Sequence, residues 1–405
     1  MHSVENVLIV GAGMCGMSLG VALRRAGINC EIVEIRPKLT EPGTGISLQG
    51  PALRALQTVG VLDQCISRGF GYSCFKACDA MGNVTGTVDL PRLLGPNYPA
   101  TIGILRQSVH EVLADELSGL GVPIRLSTTV DMLSQDDQGV TVQFTNGKTA
   151  RYDLVVGADG MNSLIRDVAF GPEHRPHYTG QMVWRATVSR PRDVECRHSY
   201  FGPTNKSGFN PISDGQMYIY AVQNVPERPH WNDAELPTIL RDLLAEFGGV
   251  LGRAREEIRT PEQITCRSVF SMILQPPWHC GHIIVIGDAA HTTTPHLASG
   301  ASIAIEDSIL LARLLQSERS LNAVLDDFMH QRYERCRMIV ENSELLGEWE
   351  KKPGMPNEDA VGVMAASYQA AGQISLRRDV RIGSFAANSA ETACPQMSAL
   401  HRYRP

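Results

Sequence analysis

The sequence predicts an α/β fold: a discontinuous, Rossmann-like dinucleotide-binding domain, a mostly β insertion and a helical C-terminal region. Three observations predict it. A strand, a glycine-rich turn and a helix open the chain. Short alternating segments separated by Pro, Gly, Asn and Asp fill residues 176–276. A buried strand then returns at residues 283–286 and is followed by a long amphipathic helix over 300–315.

Composition and charge limit the classes of function. The 405 residues are 43% hydrophobic and carry a formal net charge of −6, which excludes a disordered chain and disfavours nucleic acid as a partner. The longest apolar runs are strand-sized, so no membrane span is predicted. The ten cysteines lack paired C-x-x-C spacing, and no metal site is predicted. The N-terminus lacks a basic segment, which predicts a cytoplasmic protein. The oligomeric state is left open between a monomer and a homodimer.

The first 35 residues predict a βαβ unit. An apolar strand ends at Val10, and Gly11, Gly13 and Gly16 follow in the G-x-G-x-x-G spacing. In this turn the first glycine permits the bend, the second lets backbone approach a pyrophosphate, and the third lets helix pack on strand. Glu34 closes the second strand, where a carboxylate accepts hydrogen bonds from ribose hydroxyls. The unit predicts dinucleotide binding, with a glycine-rich packing turn as the alternative.

Two further predicted strands end next to an acidic residue. A strand that ends at Val156 runs into Asp159, and a strand that ends at Ile286 runs into Asp288. A predicted helix start follows each acid and offers free N–H groups to a phosphate. Each of these strand-turn-helix segments is common by itself, so the three signals are weighed together.

These elements divide the chain into four parts. In the first part, a helix is predicted from Ser108 as N-cap to Leu117, with Arg106 just before it. The last part contains a predicted helix from Asp359 to Ala371. The predicted parts are a dinucleotide-binding domain over 1–175, with some substrate-lobe strands around 70–105; a mostly β substrate domain over 176–276; the second part of the dinucleotide-binding domain, with long helices, over 277–350; and a helical C-terminal tail over 351–405.

The order and spacing of these motifs resemble the group A flavoprotein monooxygenases of the 4-hydroxybenzoate and salicylate hydroxylase type. The resemblance covers roughly residues 5–345. It implies an FAD-binding domain of the GR2 type, with FAD as cofactor, NADH or NADPH as electron donor and O2 as co-substrate. It also implies hydroxylation of a small phenolic or N-heteroaromatic substrate through a C4a-hydroperoxide of the reduced flavin.

The resemblance assigns cofactor-binding positions to the motifs. The contacts to the adenosine half and the pyrophosphate match Gly11, Gly13, Gly16 and Glu34, and the contact to the ribityl side matches Asp288. The motif that the family shares between FAD and NAD(P)H matches Asp159, Gly160, Ser163 and Arg166. The arginine near a helix start matches Arg106, and the helix at the flavin matches Gly300 and Ala301. One segment departs from the family pattern. Many members have Gly-Gln-Gly-Ala-Asn where residues 298–302 of this chain are Ala-Ser-Gly-Ala-Ser, so the resemblance does not carry over the detailed contacts to the isoalloxazine.

The loop after residue 294 is most similar to the 6-hydroxynicotinate 3-monooxygenase branch, whose substrates are hydroxylated pyridines or benzoic acids. Tyr218 and Tyr220 share one face of a predicted strand, and Tyr220 matches a substrate-contacting tyrosine of that branch. A tyrosine pair that packs on the sheet is the alternative. Gln216 replaces a histidine of that branch, so we predict that it can bond the substrate without titrating.

Polar groups near the proline loop complete the candidate site. Pro295 matches the position where the family has a proline carbonyl near the flavin. His291 and His296 flank it and are candidates to orient the substrate, with structural histidines as the alternative. Gln49 and Arg185 also lie near motif segments, and an arginine suits a substrate carboxylate.

Other functions can use the same fold. A flavoprotein reductase or oxidase would reduce its flavin without forming an oxygenated product, and a catalytically silent FAD-fold protein would not turn over at all. The four tryptophans do not form the Trp-x-Trp-x-Ile-Pro motif of flavin-dependent halogenases, which disfavours halogenation.

Overall fold

The computed structural model describes residues 4–39, 43–352 and 358–373, and its elements are numbered along the chain. The strands are β1 (Asn6–Val10), β2 (Asn29–Val33), β3 (Gly45–Gln49), β4 (Phe70–Tyr72), β5 (Cys74–Cys78), β6 (Val84–Asp89), β7 (Thr101–Leu105), β8 (Ile124–Arg125), β9 (Val130–Asp136), β10 (Gly139–Phe144), β11 (Thr149–Tyr152), β12 (Leu154–Gly157), β13 (His177–Ser189), β14 (Arg197–Phe201), β15 (Lys206–Pro211), β16 (Gln216–Asn224), β17 (Ile264–Ser271), β18 (His279–Cys280) and β19 (Ile283–Val285). The helices are α1 (Met14–Arg25), α2 (Gly50–Val59), α3 (Leu62–Arg68), α4 (Arg106–Gly119), α5 (Leu164–Phe170), α6 (Leu236–Leu243), α7 (Gly249–Arg255), α8 (Gly300–Leu314), α9 (Leu321–Glu350) and α10 (Glu358–Gln373).

A six-stranded sheet forms the first layer of the fold. Its order is β18-β19-β12-β1-β2-β8, and within it β18 alone pairs antiparallel to its neighbour. β1, β12 and β19 are buried almost throughout, as expected for parallel strands covered on both faces. Because these strands are parallel, the residues that follow Val10, Gly157 and Val285 meet at one edge of the sheet.

The discontinuity predicted for this sheet is confirmed. Val155 of β12 pairs with Ile283 of β19, so the chain leaves the sheet and returns to it much later. The chain between these two strands contributes five strands to a second, seven-stranded sheet. Return to the first sheet buries the apolar strand β19 completely, which the hydrophobic effect favours.

The seven-stranded sheet has the order β17-β13-β16-β15-β14-β5-β6. One face packs against α6 and α7, in a core that includes Trp184, Phe209, Leu240 and Leu251. Side chains alternate along strands, so residues between these core positions lie on the opposite face. β5 and β6 reach this sheet from residues 74–89, which is consistent with the substrate-lobe strands expected around 70–105.

A small antiparallel sheet, β3-β7-β4, lies against the second face of the large sheet. A Cβ on Gly103 of β7 would lie 1.9 Å from the carbonyl oxygen of Pro211, so the two sheets touch through backbone there. A Cβ on Gly45 of β3 would lie 2.3 Å from the ring of Tyr218. These contacts place β3 directly over Tyr218 of β16.

The start of α4 differs from the prediction. The helix begins at Arg106, its N-cap is Leu105, and no side chain caps it, so the predicted N-cap at Ser108 is wrong. The reason is tertiary: β7 pairs with β3 as far as Leu105, and the helix starts where that pairing ends. Arg106 is therefore the first residue of the helix rather than part of the preceding segment.

The C-terminal region is helical where it is described. α9 begins after Ser320, whose hydroxyl accepts the N–H of Ala323 at 3.4 Å. α10 packs on α9, and Asn342 donates a hydrogen bond to Ser367 at 3.0 Å. The remainder of the predicted tail, residues 353–357 and 374–405, lies outside the described residues. Within the described ranges, no helix combines the length and the apolar character needed to cross a bilayer.

Candidate active site

The glycine turn after β1 has the geometry that its spacing predicts. Gly11 has a φ of +105°, and a Cβ there would lie 2.5 Å from the carbonyl oxygen of Ala158. A Cβ on Gly16 would lie 2.0 Å from the carbonyl oxygen of Gly11, so α1 packs directly on the turn. Gly13 faces open space instead, with no atom within 4 Å of a Cβ built on it. The opening leaves room for a ligand at the N-terminus of α1.

Glu34 joins this turn to the end of β2. Its Oε2 accepts the N–H of Ala12 at 2.9 Å, and its Oε1 accepts the N–H of Arg36 at 3.0 Å. The two backbone donors fix the orientation of the carboxylate, and each oxygen keeps a second lone pair for another donor. The N-cap of α1 is Gly13, so no side chain occupies the first N–H groups of the helix.

A second helix N-terminus lies in the same region. α8 begins at Gly300, and the side chain of its N-cap, Ser299, makes no capping hydrogen bond. Gly300 and Ala301 are partly exposed. α8 packs on α1, and the Ser308 hydroxyl donates to the carbonyl of Cys15 at 2.8 Å. Both helices therefore offer N–H donors and the positive ends of their dipoles to an anion.

Arg106 adds a positive charge and Asp288 a negative charge at the edge of the six-stranded sheet where β1, β12 and β19 end. Arg106 begins α4, and Asp288 lies in the turn after β19. Both residues are exposed, and their opposite charges attract each other. The backbone carbonyl of Asp288 accepts the Thr292 hydroxyl at 2.7 Å, whereas its carboxylate has no hydrogen-bond partner among the described residues. The carboxylate is thus available to hydroxyl groups of a ligand.

Asp159 is engaged as a helix cap. Its Oδ1 accepts the Ser163 hydroxyl at 2.5 Å, and its Oδ2 accepts the N–H of Leu164 at 2.8 Å. Arg166, in the helix that Asp159 caps, is fully buried and donates to the carbonyl of Ala289 at 3.2 Å. The Asp-Gly motif therefore fixes α5 and ties it to the turn that holds Asp288. A direct contact of Asp159 with FAD or NAD(P)H stays a prediction.

These features together fit FAD. The opening at Gly13 and the two uncapped helix N-termini suit a pyrophosphate, and the two carboxylates suit hydroxyl groups of ribose and ribityl. Arg106 supplies a cation for the phosphates. The residues that would hold FAD are Gly11, Gly13, Gly16, Glu34, Arg106, Asp288, Gly300 and Ala301.

The tyrosines predicted on one strand face lie on the second face of the large sheet. Tyr218 and Tyr220 belong to β16, where the alternate residues Met217 and Ile219 enter the core on the first face. Both tyrosines are buried, at 6% and 8% exposure. With Ile212 they form a small apolar cluster of their own, separate from the main cores.

Tyr218 joins a buried hydrogen-bonded network made by four strands. Its hydroxyl lies 3.2 Å from Oγ of Ser47 on β3, and Ser47 donates to Oδ1 of Asn210 on β15 at 3.1 Å. Tyr72 on β4 lies 3.3 Å from both partners. Burial and the neighbouring Tyr218 raise the pKa of Tyr72, so its hydroxyl is neutral near pH 7. The network is a set of hydroxyl and amide groups that can donate or accept hydrogen bonds.

Tyr220 reaches a different partner. Its hydroxyl lies 2.6 Å from Oγ of Ser199 on β14. A Cβ on Gly208 would lie 2.6 Å from the same hydroxyl, so a glycine on β15 lets the tyrosine ring cross that strand. The two predicted tyrosines are therefore held in different places on one face of the sheet.

The remaining polar candidates are less closely involved. Gln216 is exposed at the start of β16, where its backbone N–H bonds to Ser213, and the structure does not bring its side chain into the network. The guanidinium carbon of Arg185 lies 5.9 Å from the ring centre of Tyr218. Gln49 donates to the carbonyl of Leu297 at 3.3 Å, which links β3 to the proline loop.

Pro295 and His296 form a short 3-10 turn before α8. The carbonyl of Pro295 accepts the N–H of Ala298 at 3.0 Å. His296 is buried, with Nδ1 2.9 Å from the Thr294 hydroxyl and Nε2 3.4 Å from a carboxylate oxygen of Glu350 on α9. Burial lowers the pKa of His296 to about 4, so the ring is neutral near pH 7. These contacts favour a structural histidine over one that orients the substrate.

Comparison with known proteins agrees with this geometry. A family model described as an FAD binding domain matches residues 5–343. The chain belongs to the FAD-dependent aromatic monooxygenases. The sequence resemblance, the fold class and the binding of FAD are thereby confirmed.

The monooxygenase has several named relatives. It is 31% identical over 353 residues to the 2-heptyl-3-hydroxy-4(1H)-quinolone synthase of Pseudomonas aeruginosa, which covers 85% of this chain and 90% of that protein. It is 25% identical over 361 residues to the 6-hydroxynicotinate 3-monooxygenase of Bordetella bronchiseptica, over 85% and 93% of the two chains. The structure of Klebsiella pneumoniae HpxO with FAD and uric acid has the same fold, with a TM-score of 0.79, 21% identity and coverage of 92% and 93%.

His291 of the monooxygenase belongs to a buried ionic network. Its Nε2 lies 2.6 Å from Oδ2 of Asp307, which also accepts the N–H of Gly287 at 2.9 Å. The other oxygen of Asp307 accepts Nε of Arg332 at 2.6 Å. Burial alone would lower the pKa of His291, but Cys336 and Asp307 outweigh it and raise the pKa well above its usual value. His291 therefore holds the turn that contains Asp288 onto α8.

The same network contains three groups that could ligate a metal ion. The ligand atoms of His291, Asp307 and Cys336 lie within 4.8 Å of one another. Arg332 already supplies a cation to them, because it bonds Asp307 and its Nη2 lies 3.4 Å from Sγ of Cys336. The arrangement is that of an ion-pair network with its positive charge in place.

The raised pKa of His291 predicts how stability depends on pH. Folded His291 keeps a proton that the unfolded chain releases above about pH 6.5, so its stabilising contribution is full below that pH and is lost as pH rises toward the folded pKa. Asp307, Cys336, Arg332 and the nearby Asp288 are the charged or titratable groups around it. Urea unfolding of the FAD-saturated enzyme should therefore show a free energy of unfolding that declines above neutral pH.

The variant His291→Gln should flatten that decline. His177→Gln, at an exposed histidine 2.8 Å from Glu344, is the matched control and should leave it unchanged. If the free energy of unfolding declined equally steeply with pH in the wild type and in His291→Gln, the assignment of the proton to His291 would be contradicted.

Sequence reasoning missed most of the hydrogen-bonded network. Ser47, Tyr72 and Asn210 lie on three different strands and bear no motif that marks them in the sequence. Asn210 had one usable signal, because it alternates with the core residue Phe209 on a strand of the predicted β insertion.

Proposed function

We propose that the protein is an NADH- or NADPH-consuming monooxygenase that hydroxylates a small phenolic or N-heteroaromatic compound. The observation that carries the proposal is the network of Tyr218, Ser47, Asn210 and Tyr72, which supplies hydrogen-bond donors and acceptors on a buried face. Such groups suit a ring that bears a hydroxyl or oxo group. Oxygen transfer to a ring is faster when that group is deprotonated or hydrogen-bonded, because the ring becomes more electron-rich.

The activities named for three similar proteins favour an N-heteroaromatic ring over a simple phenol. One relative is a quinolone synthase, another acts on 6-hydroxynicotinate, and the HpxO structure contains uric acid. All three compounds have a nitrogen-containing ring with an oxygen substituent. A small heteroaromatic compound of this kind is therefore our first choice of substrate, ahead of a hydroxybenzoate.

The residues of this chain have separate tasks in the proposed reaction. When bound, FAD supplies the electron transfer from NAD(P)H and the activation of O2. Arg106, Glu34 and Asp288 hold and orient it at the edge of the parallel sheet. The Tyr218 hydroxyl, held by its hydrogen bond with Ser47, would bond the oxygen substituent of the ring. The buried tyrosine face keeps bulk water from the ring that reacts.

The proposal is tested by anaerobic stopped-flow reduction of the FAD-containing enzyme with NADH and NADPH. Each donor is mixed with and without 4(1H)-quinolone, 6-hydroxynicotinate, urate or 3-hydroxybenzoate, and 18O2 is then admitted. Reduction stimulated by a compound, followed by one 18O atom in its product, supports the proposal and identifies the donor. Reduction without an oxygenated product indicates the reductase or oxidase alternative, and failure of both donors to reduce the flavin overturns the proposal.

Removal of one hydroxyl group should separate chemistry from folding. We expect Tyr218→Phe to lower kcat about 100-fold, a typical size for the loss of proton transfer, with unchanged FAD content. Steady-state kinetics on the compound identified above gives kcat. Tyr178→Phe is the matched control, because Tyr178 lies on the same sheet and donates only to the carbonyl of Val225, at 2.6 Å. A similar kcat in Tyr218→Phe and Tyr178→Phe would exclude a role for the Tyr218 hydroxyl in the reaction.

A further inference from the structure

A charged side chain without an acidic partner lies beside the tyrosines. Arg197 is the first residue of β14, on the same face as Ser199 and adjacent to Tyr220. Its Nε is buried and has no hydrogen-bond partner. Among the residues that the structure describes, no carboxylate lies within ion-pair distance of this guanidinium, and sequence reasoning did not single it out.

Two fully buried arginines of the described chain, Arg332 and Arg166, each have an acidic partner. Arg332 bonds Asp307 at 2.6 Å and Glu306 at 3.0 Å. Arg166 donates to two backbone carbonyls and lies 3.4 Å from Asp167. This is the usual state of a buried charge, because an unpaired one costs several kcal/mol of desolvation free energy. Arg197, which is partly buried, has no acidic partner in the described part of the chain, at the place where a substrate is expected.

The surroundings of Arg197 are aromatic rather than acidic. Its guanidinium carbon lies 5.4 Å from the ring centre of Phe75 and 5.9 Å from that of Tyr220. Burial disfavours its charge, but the hydroxyls of Tyr220, Tyr368 and Tyr72 raise the pKa of Arg197 above its ordinary value. Ring faces and hydroxyl oxygens stabilise a cation, but none of these neighbouring groups is a carboxylate.

The acid whose field reaches Arg197 is already bound elsewhere. Arg197 contributes to the lowered pKa of Glu350, but Lys206 contributes more and forms the ion pair with that carboxylate. The second oxygen of Glu350 lies 3.4 Å from Nε2 of the neutral His296 and has no hydrogen-bond partner within the described ranges. The guanidinium of Arg197 therefore keeps donors for a group that comes from outside the protein.

We propose that Arg197 binds an anionic oxygen of the substrate, with Tyr220 and Ser199 as neighbouring hydrogen-bonding groups. The inference rests on the proposed function and narrows its substrate to heteroaromatic compounds that carry a negative charge. A carboxylate and a deprotonated ring oxygen share this chemistry, and both suit the planar donor fork of arginine.

Ligand binding to the oxidised, FAD-containing enzyme tests the proposal without any turnover. Binding is followed by the change in flavin absorption for two pairs of probes. The first pair is 6-hydroxynicotinate and its neutral amide, 6-hydroxynicotinamide. The second pair is urate, which is anionic near neutral pH without a carboxylate, and the neutral compound hypoxanthine. We expect the wild type to bind the anion roughly 10- to 100-fold more tightly than its neutral counterpart in at least one pair.

Three variants complete the experiment. Arg197→Met should abolish the preference for the anion with little effect on the neutral probe, and Arg197→Lys should retain part of it. Arg228→Met is the matched control, because Arg228 also lies beside an aromatic ring, 5.6 Å from the centre of Phe270, but is exposed. It should keep the full preference.

Each outcome of the binding experiment supports or overturns the proposal. A preference confined to 6-hydroxynicotinate identifies a carboxylate as the bound group, and one confined to urate identifies a ring oxyanion. Absence of any preference in the wild type, or a preference that survives in Arg197→Met, overturns the proposal. If Arg197→Met does not retain FAD, the proposal is judged from the anion preferences of the wild type and of Arg197→Lys, which should retain only part of that preference. Because the oxidised enzyme is used, failure of the monooxygenase reaction would leave the binding result intact.

Discussion

Replacement of Asp307 by asparagine is expected to lower the free energy of unfolding by about 3–5 kcal/mol, the range for removal of one partner from a buried ion pair. Asp307 is fully buried and accepts hydrogen bonds from Gly287, His291 and Arg332. An asparagine of the same shape has no charge and presents N–H groups to at least one of these donors. Urea unfolding of the FAD-saturated enzyme at neutral pH measures the loss.

The same substitution should also weaken FAD binding. Gly287 lies next to Asp288 in the turn after β19, and Asp307 holds this turn through the Gly287 N–H. Asp327→Asn is the matched control, since Asp327 forms a surface ion pair with Arg319 at 2.7 Å. It should cost at most about 1 kcal/mol and leave FAD binding unchanged. Losses of equal size in Asp307→Asn and Asp327→Asn would show that the buried network is not what stabilises the turn.

Gly13→Val is expected to weaken FAD binding about 100-fold or more while the fold persists. A side chain at Gly13 would occupy the open space at the N-terminus of α1, where the pyrophosphate is expected. Gly13 has a φ of −75° and a ψ of 178°, which any residue adopts, so the backbone is not strained by the change. Titration of the apoprotein with FAD, followed by flavin fluorescence, gives the dissociation constants of the variant and the wild type.

Gly86→Val is the control for this variant. Gly86 lies on the exposed strand β6, and a Cβ there also meets no atom within 4 Å. Valine suits a strand, so neither FAD affinity nor stability should fall. Unchanged FAD affinity in Gly13→Val would exclude Gly13 from the cofactor site, and unfolding of Gly13→Val without FAD would show that the glycine has a structural role instead.

The FAD-binding part of the molecule could be predicted from the sequence because each of its pieces is local. Gly11, Gly13 and Gly16 act within one turn, and Glu34 follows the next strand of the same βαβ unit. Asp159 and Asp288 each lie directly after a buried strand. Parallel pairing then brings all of these strand ends to one edge, which is a general consequence of the topology.

Helix boundaries and histidine roles were less predictable. Ser108 has the residue type of an N-cap, but α4 begins at Arg106 because the pairing of β7 with β3 fixes where the strand ends. His291 and His296 look alike in the sequence. One bonds Asp307 from α8 and the other lies against Glu350 from α9, and only packing between distant segments assigns these partners.

The sequence by itself determined the α/β class, the interrupted parallel sheet and the cofactor-binding turn, because short-range backbone geometry and hydrophobic periodicity decide these features. The tertiary structure alone decided the substrate face. Ser47, Tyr72, Asn210 and Tyr218 come from four separate strands, and Arg197 owes its lack of an acidic partner to what packs around it. Such contacts depend on the register and packing of sheets, which residue types and their spacing do not specify.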